Sequence, residues 1–514
     1  MAGIFAIFRK KKLINISDDQ IEACAMKLKH RGPIHTFKFD KFPIKIIFHQ
    51  SQKITSSNKK LNFTVNEDDN MIIAIDGSIY NLDYINYKFL NSNYFQKYSH
   101  ANLEGVIAGY KKMNSEIFNK AIGAYSGILF DGNELIGFKD PIGAKPLYYC
   151  NTNEYFTLSS ELKALAPLKE VIKPIPPGHI VSSSSNIKQF YKYPIFKKNY
   201  ELSLRKIKQF ALKLNGLVKI AVADNINNGE NIGVLFSGGI DSTILTHIAK
   251  DLIQNLHVYT VGVEGSRDLI CAQKFAFIHN LDHTIVKISL DDMLEILPEV
   301  IYTLESYDAA LIRSSVPMFI LCQKIKNEGD SEILLTGEGG DELFGGYEYF
   351  KTLQSSVSFN KEILNLLEVE HKTGLQRVDR IPYYFSIEAR VPLFDCRLVE
   401  FSFKIPPELK MFRKKGIGFV KKWILRKAFE IEISEEFIWR KKQKFSEGGG
   451  SQFLLRNYIE KEISDEDFSF EKKSLPFLNL RSKEELYYWK IFSSHFNLNS
   501  ETLANIGITT NYEI

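Results

Sequence analysis

The chain has 514 residues, 44% of them hydrophobic, and its 66 basic residues are interspersed with 61 acidic ones for a net charge of +5, so it is too long for one ordinary core and should form at least two domains. The even charge excludes the concentrated basic stripe of a nucleic-acid binder, and five scattered cysteines (Cys24, Cys150, Cys271, Cys322, Cys396) with no CxxC pair exclude a disulfide framework or zinc site. No run is long and apolar enough to span a bilayer, and "GIFAIF" (3–8) is too short and lacks the basic flank of a signal peptide, so a cytoplasmic protein with no membrane and no nucleic-acid partner is expected.

To about residue 195 the sequence predicts mainly strands: "GIFAIF", "IKIIFH" (44–49), "MIIAID" (71–76), "YSGILF" (125–130) and "PLYYC" (146–150) are short, β-branched or aromatic, and bounded by Gly, Asp and Asn. "DDQIEACAMKLKH" (18–30) is the clearest helix of this part. The Pro- then Ser-rich stretch 173–186 reads as the approach to a domain boundary, placed at 195/196. Beyond it a long amphipathic helix precedes "NIGVLF" (231–236), a helix "STILTHIAKDLI" (242–253), "HVYTVGV" (257–263), a helix around 269–280, "HTIVKI" (283–288) and "EILLTG" (332–337). Buried runs alternating with helices predict βαβ units and a parallel sheet. From about 360 to the end the pattern is mostly helical, without a repeat.

Three segments carry chemistry. In "NIGVLFSGGIDST" a strand runs into Ser237-Gly238-Gly239 and then a helix starting near Asp241. Glycines allow backbone N–H groups close to a ligand, the helix start adds unpaired donors, and Ser237 and Ser242 add hydroxyls, which together describe an anion site. Asp241 fits such a site if it holds Mg²⁺ against phosphates. A turn using glycine for shape alone is the plainer reading, and the flanking strand and helix favour the anion site. In "ILLTGEGGDELFGGY" (333–347) another strand end delivers Thr336, Gly337, Glu338, Asp341 and Glu342. At the carboxyl edge of a parallel sheet this loop would face the first across a crevice. Glu338 and Asp341 could then divide proton transfer and metal binding. In "WRKKQKFSEGGG" (439–450) a lysine could offset charge on departing phosphates, although alone the run reads as a solvated face.

SGGxDS resembles the pyrophosphate loop of the N-type ATP pyrophosphatases. "KHRGP", "GAKPLYY", "SSELKAL", "PPGH", "SGGIDS", "SYDAALIRSS", "GEGGDELFGGY", "EARVPLFD" and "WRKKQKFSEG", in that order, resemble the glutamine-dependent asparagine synthetases along nearly the whole chain. The resemblance implies an α+β N-terminal-nucleophile (αββα) amidotransferase-like domain over 1–195 and an α/β parallel-sheet ATP pyrophosphatase domain over 196–514. It implies ATP and Mg²⁺ as cofactors, aspartate and ammonia or glutamine as substrates, ammonia passing between domains by an internal tunnel, and it is compatible with a homodimer. Carried over residue by residue, it implies that Leu235, Val261, Thr336 and Gly337 hold adenosine and that Ser237, Gly238, Gly239 and Ser242 cradle pyrophosphate. Asp241 and Asp341 would bind Mg²⁺, Glu338 would act in intermediate formation and as base, Lys442 would stabilise the leaving pyrophosphate, and Arg313 would contact substrate or pyrophosphate.

The family keeps a nucleophilic cysteine at position 2, where this chain has Ala2, which cannot attack an amide. Its glutamine-carboxylate arginine falls on Ser51, its Asn-Gly-Glu on Asp76-Gly77-Ser78, and its amino-group acid on Asn102. The glutaminase site therefore reads as decayed and the first domain as a scaffold, leaving a ligase fed by free ammonia. Two threonines of the family are Ala310 and Leu311 here. Leu311 near the substrate would favour an amide ligase for another acid, as in beta-lactam synthetase. A non-catalytic partner protein is a third reading, opposed by Asp241, Glu338, Asp341 and Lys442.

Overall fold

The computed structural model describes residues 2–51, 62–90, 102–193, 202–226, 230–329, 331–353, 355–414, 416, 418–440 and 451–506. The first half contains β1 (Ala2–Arg9), β2 (His35–Lys41), β3 (Ile44–Gln50), β4 (Phe63–Asn66), β5 (Met71–Ile79), β6 (Gly123–Phe130), β7 (Leu135–Lys139), β8 (Tyr148–Asn151), β9 (Tyr155–Ser159), β10 (Lys173–Pro174), β11 (His179–Ser182) and β12 (Ile187–Gln189). They form two six-stranded sheets, ordered β10-β8-β9-β1-β3-β2 and β12-β11-β7-β6-β5-β4.

Strand alternation explains the layers. Ala2, Ile4 and Ala6 of β1 pack with Ile72 and Ala74 of β5 between the sheets, while Phe5 and Ile7 face outward to Ile21, Cys24 and Ala25 of the Asp18–Met26 helix. On the other side Met71, Ile73 and Ile75 meet Ile85, Val106 and Ile107 of the Leu82–Phe89 and Glu104–Met113 helices. Helix, sheet, sheet, helix is the expected αββα sandwich. The stretch 173–186 is not yet a linker, because it supplies β10 to one sheet and β11 to the other. The expected boundary at 195/196 lies outside the described residues. The first helix is shorter than its pattern: it starts at a capping box between Ser17 and Gln20, ends at Met26, and gives way to a 3-10 turn at Lys29–Arg31 that turns Arg31 inward.

The second half contains β13 (Ile232–Leu235), β14 (His257–Gly262), β15 (Asp282–Lys287), β16 (Ile333–Leu335) and β17 (Glu388–Arg390) in one sheet ordered β15-β14-β13-β16-β17. Every pairing in it is parallel. β17 is a short strand within the stretch beyond 360 that the sequence reads as mostly helical. A three-residue strand gives no period, and its apolar neighbours read as helix. Helices Leu204–Asp224, Ile240–Leu252 and Arg267–Ile278 match the expected ones.

Arg31 joins the halves. Its side chain is fully buried, and every guanidinium N–H donates: Nε to Ala2 O at 3.0 Å, the two terminal nitrogens to Asp76 at 2.6 Å, Glu161 at 2.8 Å, and Asp379 at 2.7 and 3.0 Å. Asp379 belongs to the second half, as does Glu305, whose carboxylate accepts from the N–H groups of Leu162 (3.1 Å) and Lys163 (2.7 Å) at the start of a first-half helix. Burial pushes Asp379 up, but Arg31 first, then Lys145 and Arg380, hold it below the usual carboxylate range. Glu161 is likewise raised by burial and brought well below its usual value by His30, Lys163 and Arg380.

Removing one partner of a buried ion pair typically costs about 3–5 kcal/mol, so Arg31→Met is expected to lower unfolding free energy by that order in denaturant titrations. Folded-state pKa values depressed below the unfolded ones make this contribution complete above the unfolded carboxylate range of about 4. It is lost as pH falls from there toward the folded values. Thermal scans should show the wild type losing stability in that acid window, with a flatter dependence in Arg31→Met.

Candidate active site

The strand order reverses direction at β13: β14 lies on one side and β16 on the other. In an open parallel sheet this switch point leaves a crevice at the carboxyl ends of the two central strands. The turn after β13 is 237–242 and the turn after β16 is 336–342, so the topology alone brings the two loops face to face.

Side chains complete the contact. Lys422, fully buried, sits directly before the Trp423–Phe429 helix. Its ammonium pairs with Asp241 and, at 2.9 Å, with Asp341 Oδ1. Burial alone would lower its pKa, but the two carboxylates raise it above the ordinary lysine value. The glycines of this region have a steric reason. A Cβ on Gly340 would overlap the Asp241 carboxylate, and one on Gly346 would overlap Asp341 Oδ1. Two acids and an ammonium therefore occupy space that any larger residue would take.

The first turn is internally tied. Ser237 Oγ lies 3.1 Å from Ser242 Oγ and accepts from Gly239 N at 3.2 Å, while the Ser242 hydroxyl donates to Gly239 O at 3.1 Å. Gly238 has a positive φ and Gly239 caps the Ile240–Leu252 helix. Leu235 ends β13 half-buried, and buried Val261 lies near the end of β14. Thr336 is buried, its N–H donating to Arg390 O at 3.0 Å and its hydroxyl lacking a partner among the described residues. A Cβ on Gly337 would fall 3.0 Å from Ser242 N and 3.1 Å from Asp241 Cβ, so the two loops touch.

Glu338 is paired with Arg377 of the Gly374–Tyr384 helix. Behind it Glu342 is buried, and desolvation first, then Asp341 and Glu338, push its carboxyl up. Tyr347 donates its hydroxyl to Glu342. Burial likewise raises Glu370 well above the carboxylate range, with Glu342 and Glu338 adding to it.

Leu235, Ser237–Ser242, Val261, Thr336, Gly337, Glu338 and Asp341 all lie at or just beyond the carboxyl ends of the neighbouring strands β13, β14 and β16, and the Gly337–Asp341 turn touches the Ser237–Ser242 one. Lys442 lies outside the described residues, but Arg440 two positions earlier is ion-paired with Asp268, whose carbonyl oxygen would lie 2.8 Å from a Cβ on Gly238. Arg313 is buried with one arm on Glu484 at 2.7 Å. Leu311 is only 2% exposed and packs in the hydrophobic core. Lys422 and Arg377 were not legible beforehand. "VKKWILRKAF" (420–429) reads as an amphipathic helix with basic residues on its wet face, and the one usable signal was a lysine placed directly before a helix.

The oxygen donors at this crevice suit Mg²⁺, which takes one or two carboxylates and leaves its other positions to phosphates and water. Asp241 and Asp341 already converge on one cation, the lysine ammonium, beside a turn of hydroxyls and N–H groups.

In the first half, alternation along β1 and β5 puts Ala2 and Asp76 on the facing sides of the two sheets. Ala2 is fully buried and its N–H donates to Asp76 Oδ1 at 2.8 Å. Ser51 follows Gln50, the partner of Ala2 in β3, and Gly77 O accepts from Asn62 at 3.0 Å. Ser78 is exposed. Asn102 is tied to Asn86 at 3.1 Å and to Glu104 N at 3.3 Å.

The glutamine amidotransferase domain family matches residues 1–212, and the asparagine synthase family matches 213–372 and 355–501. The asparagine synthetase [glutamine-hydrolyzing] of Zea mays is 29% identical over 96% of this chain and 86% of its own length. The Brassica oleracea enzyme of that name is 30% identical over 99% and 89%, and a probable one from Schizosaccharomyces pombe is 29% identical over 96% and 94%. With the αββα sandwich and parallel sheet in the same order, the chain belongs to the asparagine synthase family and is a ligase that forms carbon–nitrogen bonds.

Proposed function

We propose that this ligase makes L-asparagine from L-aspartate, ATP and free ammonia, releasing AMP and pyrophosphate, with residues 196–514 as the catalytic domain, 1–195 as a vestigial glutaminase, and the cytoplasm as its compartment. The observation that carries the ligase reading is the meeting of Asp241 and Asp341 on Lys422 at the sheet's switch point.

In this reading Leu235, Val261, Thr336 and Gly337 take the adenosine, and the spare Thr336 hydroxyl supplies a buried polar contact. Ser237, Gly238, Gly239 and Ser242 take the pyrophosphate with hydroxyls and N–H groups at a helix start. Asp241 and Asp341 would hold Mg²⁺, which when bound offsets phosphate charge. An oxygen of the aspartate side chain bonds to the α-phosphorus as the bond to the bridging pyrophosphate oxygen breaks. Lys422, Lys442 and the loop donors oppose the charge that leaves, and Arg313 would contact the substrate or the pyrophosphate. Ammonia then attacks the acyl carbon of β-aspartyl-AMP. The new C–N bond forms, AMP departs, and the surplus proton on nitrogen passes to the Glu338 carboxylate.

The vestigial reading of the first half rests on its charges. Attack from position 2 would build negative charge on a carbonyl oxygen, and the Asp76 carboxylate lies within hydrogen-bond reach of Ala2 N. A carboxylate there repels what an oxyanion site must stabilise. Asp76 is also committed to Arg31.

With Mg-ATP and aspartate, pyrophosphate and asparagine are expected to form when ammonium is added, and glutamine is expected not to replace it. Turnover with glutamine equal to that with ammonium would defeat the proposal, as would pyrophosphate release independent of aspartate. Asp341→Asn should lower the ammonia-dependent rate by about 100-fold or more, since it removes one of two anionic groups fixing the nucleotide's cation. Ala2→Cys should leave glutamate release from glutamine at background, because Asp76, Ser51 and Asn102 are unchanged. Recovery of glutaminase by that single substitution would show the pocket intact.

A further inference from the structure

The Gly374–Tyr384 helix is anchored on charged groups at both ends. Its first turn meets two carboxylates: a Cβ on Gly374 would overlap Glu370 Oε1 and come 3.4 Å from Glu338 Oε2, and Arg377 pairs with Oε1 of Glu338. A helix start favours an anion there. Farther along, Gln376, Asp379, Arg380 and Tyr383 recur at the spacing of one helix face. Gln376 donates to Leu304 O at 2.6 Å. Asp379 takes two bonds from Arg31, and Arg380 donates to Glu305 at 3.1 Å and to the Tyr148 hydroxyl at 3.3 Å. The Tyr383 ring lies 4.2 Å from the Arg31 guanidinium and 4.4 Å from the Lys145 ammonium. All four residues of that face are buried.

Glu338 itself sits in the turn Gly337-Glu338-Gly339-Gly340, whose glycines leave its backbone permissive. Such a carboxylate takes its direction from outside, and a planar guanidinium on a fixed axis supplies one. We infer that this helix is a strut through which the first half aligns the ligase site: Arg31–Asp379 clamps the helix, and Arg377 is the positioning residue by which the clamped helix aims Glu338. The inference rests on Glu338 acting in the ligase reaction as proposed above, and it gives the first half a task that needs no glutaminase chemistry.

The full-length protein serves for the test, with Arg377→Met, Arg377→Lys, Asp379→Asn and the Arg377→Met/Asp379→Asn pair. Ammonia-dependent asparagine formation should fall about 30-fold in kcat in Arg377→Met while the KM for ATP stays within about twofold, and Arg377→Lys should recover part of the loss. Asp379→Asn should lower kcat by about fivefold and add nothing to Arg377→Met, as expected for residues acting in series. An unchanged kcat in Arg377→Met, or full multiplication of the two effects, would overturn the inference. Amide hydrogen exchange provides a readout independent of turnover. Asp379→Asn should speed exchange at 337–343 as well as at 374–384, and unchanged exchange at 337–343 would refute the strut. If Asp379→Asn does not fold, Arg31→Lys, which keeps the charge and loses the fork, is read by the same exchange experiment. A wild type that forms no asparagine would sink the functional proposal, and the exchange result would still decide the strut.

Discussion

A guanidinium removed entirely from water must have all its N–H groups met, and this requirement on Arg31 organises the molecule. Meeting it takes the carbonyl of Ala2 and carboxylates from β5, from the segment before a first-half helix, and from the second half. These four pieces of chain are distant in sequence, and they converge because each satisfies part of one planar cation. A buried ion cluster of this kind is a weak source of net stability compared with apolar packing, but it penalises every arrangement in which one partner is missing. The two halves are thereby held in a single relative arrangement. The same convergence places a carboxylate beside residue 2, where chemistry on a carbonyl would need the opposite charge.

The second charged cluster obeys a different rule. At the switch point the sheet topology brings two loops together, and glycines at Gly340 and Gly346 let carboxylates approach where side chains would collide. Lys422 then balances Asp241 and Asp341. One cluster is closed and saturated, and the other opens on a crevice whose loop donors are suited to anionic groups. The helix carrying both Asp379 and Arg377 runs between them.

Much of this was readable from residue order. The β1 pattern Ala-Gly-Ile-Phe-Ala-Ile-Phe gave alternating inner and outer faces, and strand-glycine-helix successions gave the parallel sheet. The meeting of the two loops followed from SGGIDS and GEGGDE because both motifs sit at strand ends and the sheet order puts those strands side by side. β17 escaped notice because three residues carry no period. Lys422 and Arg377 escaped because a basic residue in an amphipathic segment looks the same whether its head lies in water or against two acids. Arg31 was visible only as part of "KHRGP", since its partners lie at 76, 161 and 379 and no local spacing records them.

The carboxylate of Glu305 closes the start of the first-half helix at Leu162 and Lys163. That contact ties the amino-terminal portion to the parallel-sheet portion through backbone groups as well as through Arg31. A shortened gene product beginning near the parallel sheet would carry Asp379 without Arg31, and Glu305 without the Leu162 and Lys163 N–H groups, on a surface shaped for burial. Removing the amino-terminal portion would therefore unbalance buried charge in the portion that remains.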